Sequence, residues 1–379
     1  MTSDTARNIS LETYFCGQKL QSPFILSSGP LSYGAEGIIA ASQAGFGAVV
    51  TKTLRLKPAI NPPHHIGLIG TQTLINCEKW SDIDFTQWCE YDIPQSVKNG
   101  TILIASLGHT LDEVKVMATA VEKAGAQMVE LVSYREDDLL PMLDYAKSVL
   151  NIPVICKLSA NWTDVVGTAQ KCLVHQTDGI CAIDSIGPTL KIDIEHAQPA
   201  LLGELGAGWL SGEAIRPISM WVNAEISRRN PEFQNLYSSG GCFSAKDAIE
   251  FLMAGATAVG LCSAVMLKGL SFVDKLCNDL ADLLPKLGYH SLSEVRGVAL
   301  RNLQSFEAQG ELEFTYQAFR PDGSKKCIDC KKCEIVCPYK ARHVDFPIMT
   351  FDRNRCRSCG LCVDICPTEA LTAQVVQKK

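Results

Sequence analysis

Eight of the seventeen cysteines lie close together near the end of the 379-residue chain. They form two runs with the spacing Cys-x2-Cys-x2-Cys-x3-Cys-Pro, namely Cys327, Cys330, Cys333 and Cys337, then Cys356, Cys359, Cys362 and Cys366. Thiolates at this spacing hold iron–sulfur cubes, and the proline turns the chain so that the fourth cysteine reaches the other cube. The spacing therefore predicts two [4Fe–4S] clusters, each with three ligands from one run and one from the other.

On this pattern the two ligand sets are Cys327, Cys330, Cys333 and Cys366 for one cluster, and Cys356, Cys359, Cys362 and Cys337 for the second. A pair of structural zinc sites is the alternative, because Cys-x2-Cys pairs also suit tetrahedral zinc. Zinc requires neither the repeated third cysteine nor the Cys-Pro, so the motif favours clusters. Residues 324–379 are predicted to form a small α+β two-cluster ferredoxin domain, preceded by a linker at 306–323.

The first 305 residues alternate short apolar segments with amphipathic helical segments. The predicted strands are 23–28, 47–52, 102–106, 127–132, 153–158, 179–184, 235–239 and 257–262. Predicted helices include 111–125, 163–175 and 244–255, the last with Ser244 as its N-cap. Eight such units predict an α/β fold, a (β/α)8 TIM barrel over residues 1–305.

An open doubly wound sheet is the alternative to a closed barrel. Its most suggestive segment is the glycine-rich stretch 206–212, GAGWLSG. This stretch lacks the strand–turn–helix context and the later acidic residue of a dinucleotide-binding fingerprint. We therefore interpret it as a barrel loop, and the pattern favours closure.

Residues that bind ligands in TIM barrels lie at the carboxyl ends of the strands. Here those ends carry hydroxyls, glycines, two lysines, one carboxylate and one thiol: Ser28, Lys52, Thr53, Ser106, Lys157, Asp184, Ser185, Gly240, Gly241, Cys262 and Ser263. Small residues after the last two strands let backbone N–H groups approach a phosphate. The lysines place positive charge where a flavin ring gains negative charge on reduction, although each could instead reach solvent from a loop.

Several segments in this order resemble the dihydroorotate/dihydropyrimidine dehydrogenase family of FMN barrels, here with a C-terminal two-cluster ferredoxin domain. They include SSGP (27–30), VVTKT (49–53), LIASLG (103–108), KLSANWTD (157–164) and LSGEAIRPI (210–218). The resemblance implies FMN as a cofactor, with Lys52 and Lys157 at its ring. It also implies that the ring edge, ribityl chain and phosphate are held by Ser211, Gly212, Gly240, Gly241, Cys262 and Ser263.

The chain departs from this family at the substrate side of the site. Val132 stands where the family has an asparagine that binds the pyrimidine, and the loop that carries a cysteine or serine base is missing. Asp184 replaces a second asparagine, whereas Asn76 is retained. A buried pyrimidine without matched hydrogen-bonding groups loses affinity, so these changes weigh against pyrimidine chemistry and more strongly against dihydroorotate.

Three residues are candidates to replace the missing acid or base. Tyr134 follows the fourth strand, Asp184 follows the sixth, and Cys77 lies beside Asn76. Each also has a structural interpretation: Tyr134 could cap the shortened loop, Asp184 could bond a flavin hydroxyl or the backbone, and Cys77 could be packing. The predicted catalytic set is Tyr134, Asp184 and Lys52, and the predicted substrate-binding pair is Asn76 and Cys77.

Composition excludes several other function classes. The net charge of -6 and the lack of a basic stripe argue against nucleic acid, including a tRNA-modifying FMN barrel. No apolar segment approaches the roughly 20 residues of a transmembrane helix, and the first residues lack the pattern of a signal peptide. We therefore expect a cytoplasmic protein with reduced thiols that does not associate with membranes.

These features predict an iron–sulfur flavoprotein oxidoreductase. It would act on a CH–CH/C=C bond (or a C=N bond) of a small carbonyl-conjugated compound, with hydride passing through FMN and electrons through the two clusters. No NAD(P)- or FAD-binding fold is visible, so we expect an NAD(P)H-oxidising flavoprotein subunit or a ferredoxin-type carrier as partner, in a homodimer or heteromeric complex. The alternative is an electron-relay subunit whose barrel has lost its dehydrogenase activity.

Overall fold

The computed structural model describes residues 9–303 and 310–376. The chain divides into two compact units, Met1–Asn302 and Leu303–Lys379. The first unit holds the alternating strands and helices, and the second holds the eight clustered cysteines. The two kinds of chemistry expected from the sequence therefore belong to separate units.

The first unit is built on a closed, all-parallel barrel of eight strands, which confirms the predicted TIM barrel. Each strand pairs with the strands before and after it in the chain, and the last pairs with the first. In chain order the barrel strands are Phe24–Leu26, Ala48–Val50, Leu103–Gly108, Met128–Val132, Val154–Leu158, Gly179–Ala182, Leu236–Ser239 and Ala258–Leu261. Seven of the eight predicted segments contain one of these strands, and the third, 102–106, overlaps Leu103–Gly108, which runs two residues further.

Helices surround the barrel and bury their apolar faces against it. The longer ones are Gly34–Gln43, Ile93–Lys98, Leu111–Ala124, Glu136–Val149, Val165–Val174, Arg216–Arg229, Ala245–Met253, Ser263–Lys268 and Phe272–Lys286. Ser244 caps its helix as predicted, because its hydroxyl accepts the Asp247 N–H at 3.2 Å. No helix in the described part of the chain is long and apolar enough to cross a membrane.

An N-terminal hairpin closes the amino end of the barrel. Its strands, Thr13–Phe15 and Gln18–Leu20, pair antiparallel, and Phe15 packs edge-on against Tyr237 with ring centroids 5.6 Å apart. Phe15 and Leu20 are fully buried with residues from the first positions of the barrel strands, such as Ile25. Because side chains of the described residues fill the amino end, we expect the ligand site at the carboxyl end, where TIM barrels place theirs.

Above the carboxyl end lies a second sheet that the sequence did not suggest. It is antiparallel, in the order Ile186–Thr189, Gly208–Gly212, Thr73–Asn76 and Ile66–Ile69. The interpretation of 206–212 as a loop is therefore wrong, because most of it forms a central strand. The segments after the second and sixth barrel strands are long enough to pair with each other, which brings Asn76 and Ser211 to the barrel mouth.

The second unit contains two antiparallel strand pairs and two short helices. Glu311–Tyr316 pairs with Leu371–Val376, and Arg342–Asp345 pairs with Ile348–Phe351. The helices are Lys332–Ile335 and Leu361–Asp364, one within each cysteine run. The linker prediction of 306–323 needs correction, because 311–316 is a paired strand of this unit. The start of that predicted linker lies outside the described residues.

Candidate active site and cluster-binding sites

An open cavity of about 1180 Å³ occupies the carboxyl end of the barrel. Residues from all eight strand ends and from the added sheet line it. It brings together most of the residues predicted to bind flavin: Ser28, Lys52, Thr53, Lys157, Ser185, Ser211, Gly212, Gly240, Gly241, Cys262 and Ser263. The predicted catalytic residues Tyr134 and Asp184 and the substrate-side Asn76 line the same cavity.

Two predicted site residues lie outside the lining of this cavity. Ser106 is fully buried, and its hydroxyl bonds Thr53 Oγ1 at 3.0 Å and donates to Glu130 Oε1 at 3.3 Å. Cys77 packs against Gly203, where an added Cβ would come within 2.7 Å of its Sγ. Ser106 therefore supports Thr53 from behind, and Cys77 has a packing role in the structure.

Lys157 lies in a buried cluster of charges below the cavity. Its Nζ is 3.3 Å from Asp184 Oδ1 and 3.9 Å from Glu130 Oε1. Burial opposes its charge, but the Asp184 and Glu130 carboxylates outweigh burial and raise the pKa of Lys157 above its usual value. With its pKa raised, Lys157 stays protonated at neutral pH. For the fully buried Glu130 carboxyl, burial raises the pKa, while the Lys157 ammonium acts to lower it.

Lys52 has a carboxylate partner of its own that the sequence analysis did not identify. Its Nζ donates to Glu78 Oε1 at 2.5 Å, and both side chains are largely buried. Glu78 also lies 4.0 Å from His65 Nε2. Glu78 lines the cavity beside Asn76, whose Nδ2 donates to the backbone oxygen of Trp209 at 3.3 Å. The two cavity lysines are thus held in place by carboxylates of this chain.

The cavity lining fits an FMN molecule. Gly240 and Gly241 have φ values of 120° and 91°, and a Cβ on Gly241 would come within 2.6 Å of Arg216 Cβ. Only glycine suits this turn, which keeps the backbone free of side chains where a phosphate would bind. The hydroxyls of Ser211 and Ser263, 2.9 Å apart, add donors, and the two lysines suit an anionic ring edge.

The substrate side of the cavity differs most from the family pattern. Val132 ends the fourth barrel strand and lines the cavity, and the next helix begins at Glu136 after only three residues. No room remains in that connection for a mobile loop with a base. Tyr134, in the middle of the connection, is 46% exposed, yet burial of its hydroxyl and the Asp184 carboxylate raise its pKa to about 12.

Aromatic side chains pack together where that loop is missing. Tyr134 stacks on Trp209 with ring centroids 5.4 Å apart and an interplanar angle of 25°. Trp80 meets Tyr134 at 5.6 Å and contacts the His109 ring edge-on at 4.4 Å. The Arg55 guanidinium lies 4.3 Å over the Trp80 ring. Trp80, His109 and Tyr134 line the cavity and form a rigid, flat-sided wall.

Sequence reasoning missed His109, which follows the third barrel strand directly. Its backbone N–H donates to Glu113 Oε2 at 3.2 Å, and Glu113 also pairs with Arg55 at 2.7 Å. Its Nδ1 is buried and has no partner among the described residues. Burial and the nearby Arg55 lower the pKa of His109, while Glu113 and Asp138 raise it. Its position one residue after a strand end was the available signal.

The second unit brings together the first predicted set of cluster ligands and three cysteines of the second set. Cys327, Cys330, Cys333 and Cys366 line one cavity of about 350 Å³, with Pro367 beside them. Cys362 lies close enough to Cys359 and Cys337 for electrostatic interaction, and Arg342 Nε donates to Cys362 Sγ at 3.1 Å. Among the described residues, no three His, Cys, Asp or Glu side chains are close enough to hold a single metal ion. The third cysteine and the Cys-Pro of each run suit a cube-shaped cluster better than zinc.

Comparisons with known proteins agree with both units. The dihydroorotate dehydrogenase family model matches residues 105–284, and the 4Fe-4S dicluster domain model matches residues 326–370. The catalytic subunit of dihydroorotate dehydrogenase B (NAD(+)) from Methanothermobacter thermautotrophicus is 30% identical over 312 residues, covering 76% of this chain and 98% of the relative.

Two dihydropyrimidine dehydrogenases are also similar. The NAD-dependent dihydropyrimidine dehydrogenase subunit PreA of Escherichia coli K12 is 27% identical, covering 86% of this chain and 85% of the relative. The chloroplastic dihydropyrimidine dehydrogenase (NADP(+)) of Arabidopsis thaliana is 26% identical, covering 75% of this chain and 76% of the relative. The matched families bind FMN at the barrel and two [4Fe–4S] clusters at the dicluster domain.

Proposed function

The chain belongs to the dihydroorotate dehydrogenase family, and we propose that it oxidises or reduces a carbon–carbon or carbon–nitrogen bond next to a carbonyl group in a small compound. It is a flavin- and iron–sulfur-dependent oxidoreductase. The observation that carries the proposal is the barrel cavity, which combines the flavin-type lining with polar groups on its substrate side. Those groups are Asn76, Glu78, His109, Tyr134 and Asp184.

The lysines prepare the cavity for developing negative charge. When bound, FMN takes up or gives up a hydride and exchanges its electrons singly with the clusters. Lys157, kept protonated by Asp184 and Glu130, would help to hold the cofactor and would stabilise negative charge that develops on it. Lys52, fixed by Glu78, places a second ammonium at the cavity wall.

A proton must also move to or from the substrate carbon next to the one that exchanges hydride. We assign Tyr134, Asp184 and Lys52 as the catalytic set, as the sequence predicts, and add His109 as the group that accepts the proton in the oxidative direction. A Tyr134 hydroxyl with a pKa of about 12 is a poor base at neutral pH but can donate a hydrogen bond to the substrate carbonyl. The neutral His109 imidazole, whose pKa is lowered, is a better proton acceptor at neutral pH than the Tyr134 hydroxyl.

Electrons must leave or enter through the second unit. We propose an NAD(P)H-oxidising flavoprotein subunit or a ferredoxin-type carrier as partner. Cys330 and Cys359 are exposed, so each cluster would lie near the protein surface. The names of the relatives, which include NAD(+)- and NADP(+)-linked dehydrogenases, support exchange of electrons with a nucleotide-dependent partner.

The experiment is anaerobic bleaching of the flavin in the purified holoenzyme by a panel of saturated carbonyl compounds, with reoxidation by their unsaturated counterparts. Saturated neutral cyclic amides should bleach the flavin, and enones should reoxidise it. Dihydroorotate should not bleach it, because Val132 and Asp184 replace the family's asparagines. Tyr134→Phe should slow the reaction with flavin content unchanged. If no compound bleaches or reoxidises the flavin while a reduced carrier does, the chain is the relay subunit instead.

A further inference from the structure

The two cysteine runs have the same spacing, but the residues between their cysteines differ. In the first run the intervening positions hold Ile328, Lys331, Lys332 and Ile335. At the corresponding positions the second run holds Arg357, Gly360, Leu361 and Asp364. These residues are not cluster ligands, so the two runs differ in the charge and polarity of the side chains around their cysteines.

The first run carries two exposed isoleucines among lysines. Ile328, which lines the cavity that holds the first set of cysteines, is 57% exposed, and Ile335, at the end of the helix Lys332–Ile335, is 76% exposed. The chain around them carries four lysines, Lys325, Lys326, Lys331 and Lys332, against two carboxylates, Asp329 and Glu334. We call these lysines together with Ile328 and Ile335 the docking face.

The charge of the docking face is available to a partner. Glu334 is engaged by the Val344 N–H and by His343 Nδ1, both at 3.0 Å. Lys326 Nζ donates to the neutral Gln317, and Lys325 lies 4.7 Å from the centroid of the Phe346 ring. Lys331 and Lys332 are exposed. Lys331 interacts electrostatically with Glu334, but no ion pair within 4.0 Å joins any of the four lysines to Asp329 or Glu334 in the described part of the chain.

This arrangement suits a transient partner more than a permanent subunit. Lysines are depleted from the centres of stable interfaces, and small apolar contacts within a charged rim are typical of weak electron-transfer encounters. Charge complementarity raises the rate of encounter more than the affinity. We propose that the docking face binds a small acidic one-electron carrier next to the first cluster.

The inference rests on the proposed relay of electrons through the clusters. Oxidation of one substrate bond releases two electrons, so two oxidised carrier molecules each gain one electron per turnover, and reduction of the substrate requires the reverse. Cys330 is exposed beside Lys331, which places the first cluster within short reach of a carrier at this face.

The test uses the holoenzyme without any substrate. Its clusters are reduced with dithionite, excess dithionite is removed, and the protein is mixed in a stopped-flow instrument with an oxidised acidic [2Fe–2S] plant-type ferredoxin. We expect the second-order rate constant to fall steeply as NaCl rises, because salt screens exposed charges over about 10 Å at 0.1 M. A basic cytochrome c should react slowly and speed up with salt.

Lys331→Gln/Lys332→Gln should lower the ferredoxin rate about tenfold at low salt, and the double Glu variant should lower it further. Arg357→Glu, at the second run, and Lys98→Glu, on the barrel, are the matched controls and should have little effect. Ile335→Ala should lower the rate without changing its salt dependence. Iron content and the reduction potentials of the clusters are measured for every variant.

Three results would overturn the inference. The first is an unchanged rate in both Lys331/Lys332 variants. The second is an equal loss in Arg357→Glu, and the third is a rate change that follows a shifted cluster potential. Since no substrate is present, failure of the flavin-bleaching panel leaves this test intact, and a negative result here leaves the barrel chemistry untouched.

Discussion

The barrel cavity and the cluster-binding unit differ in where the residues that would hold a redox group lie in the chain and in how deeply they are buried. The barrel site collects single residues from strand ends that are far apart in the chain, and it buries its charges: Lys157 is 6% exposed and Glu130 is fully buried. The second unit takes its ligands from two short runs and leaves two of them exposed. The structure of the barrel site therefore depends on its buried ion pairs, which hold the charged side chains in place. The structure of the cluster-binding unit depends instead on the bonds between its cysteines and the clusters.

The largest expected effect is on the cluster side. Cys366→Ser removes the ligand that the second run contributes to the first cluster, and we expect iron to fall from about eight to about four per chain. Electron transfer to carriers should be lost, while FMN content stays the same because the barrel is a separate unit. Cys277→Ser, on a barrel helix, is the control with iron unchanged. Retention of about eight irons in Cys366→Ser would contradict the ligand assignment.

Lys157→Met tests the dependence of the barrel on its buried ion cluster. Removing the ammonium leaves Glu130 and Asp184 without their cation, and breaking a buried pair costs about 3–5 kcal/mol in the free energy of unfolding. Urea unfolding of the barrel measures this. Lys147→Met, in the half-exposed pair with Asp178, should cost only about 0.2–1 kcal/mol. Equal losses of unfolding free energy in Lys157→Met and Lys147→Met would mean that burial does not increase the contribution of an ion pair to barrel stability.

The same difference explains what the sequence could predict. The eight proposed cluster ligands follow one another within forty residues, so spacing alone predicts all eight, and the pattern of apolar segments predicts all eight barrel strands. The added sheet was missed because Thr73–Asn76 and Gly208–Gly212 pair across more than a hundred residues. Glu78 and His109 were missed for a similar reason: their roles depend on Lys52, Trp80 and Arg55, which are neighbours only in the fold.

His109→Gln tests the proton transfer proposed for the cavity. In the oxidative direction His109 must be neutral to accept a proton, and its pKa is lowered, so wild-type kcat/KM should be level at neutral pH and fall as pH drops through a value below about 6.5. The variant should lose about 100-fold in rate and lose that inflection. The rate is that of flavin bleaching by the most reactive compound of the panel.

A structural role for His109 is separated by a second measurement. NMR titration of the histidine resonances, with the His109 signal identified by its loss in the variant, should give a pKa below about 6.5. His290→Gln, an exposed site, is the control and should leave the pH profile unchanged. An unchanged profile in His109→Gln, or a His109 that does not titrate, would remove it from the mechanism.

The smallest effect concerns the helix that begins just after the glycine turn of the cavity. Ser244→Ala removes the hydroxyl that accepts the Asp247 N–H, and loss of an N-cap costs about 1 kcal/mol. Asp247 also accepts the Phe243 N–H at 2.9 Å and pairs with Arg216, whose Cβ lies against Gly241. The change should therefore lower barrel stability slightly and weaken FMN retention, with iron content unchanged. A loss of iron would instead mean that the two units do not bind their cofactors independently.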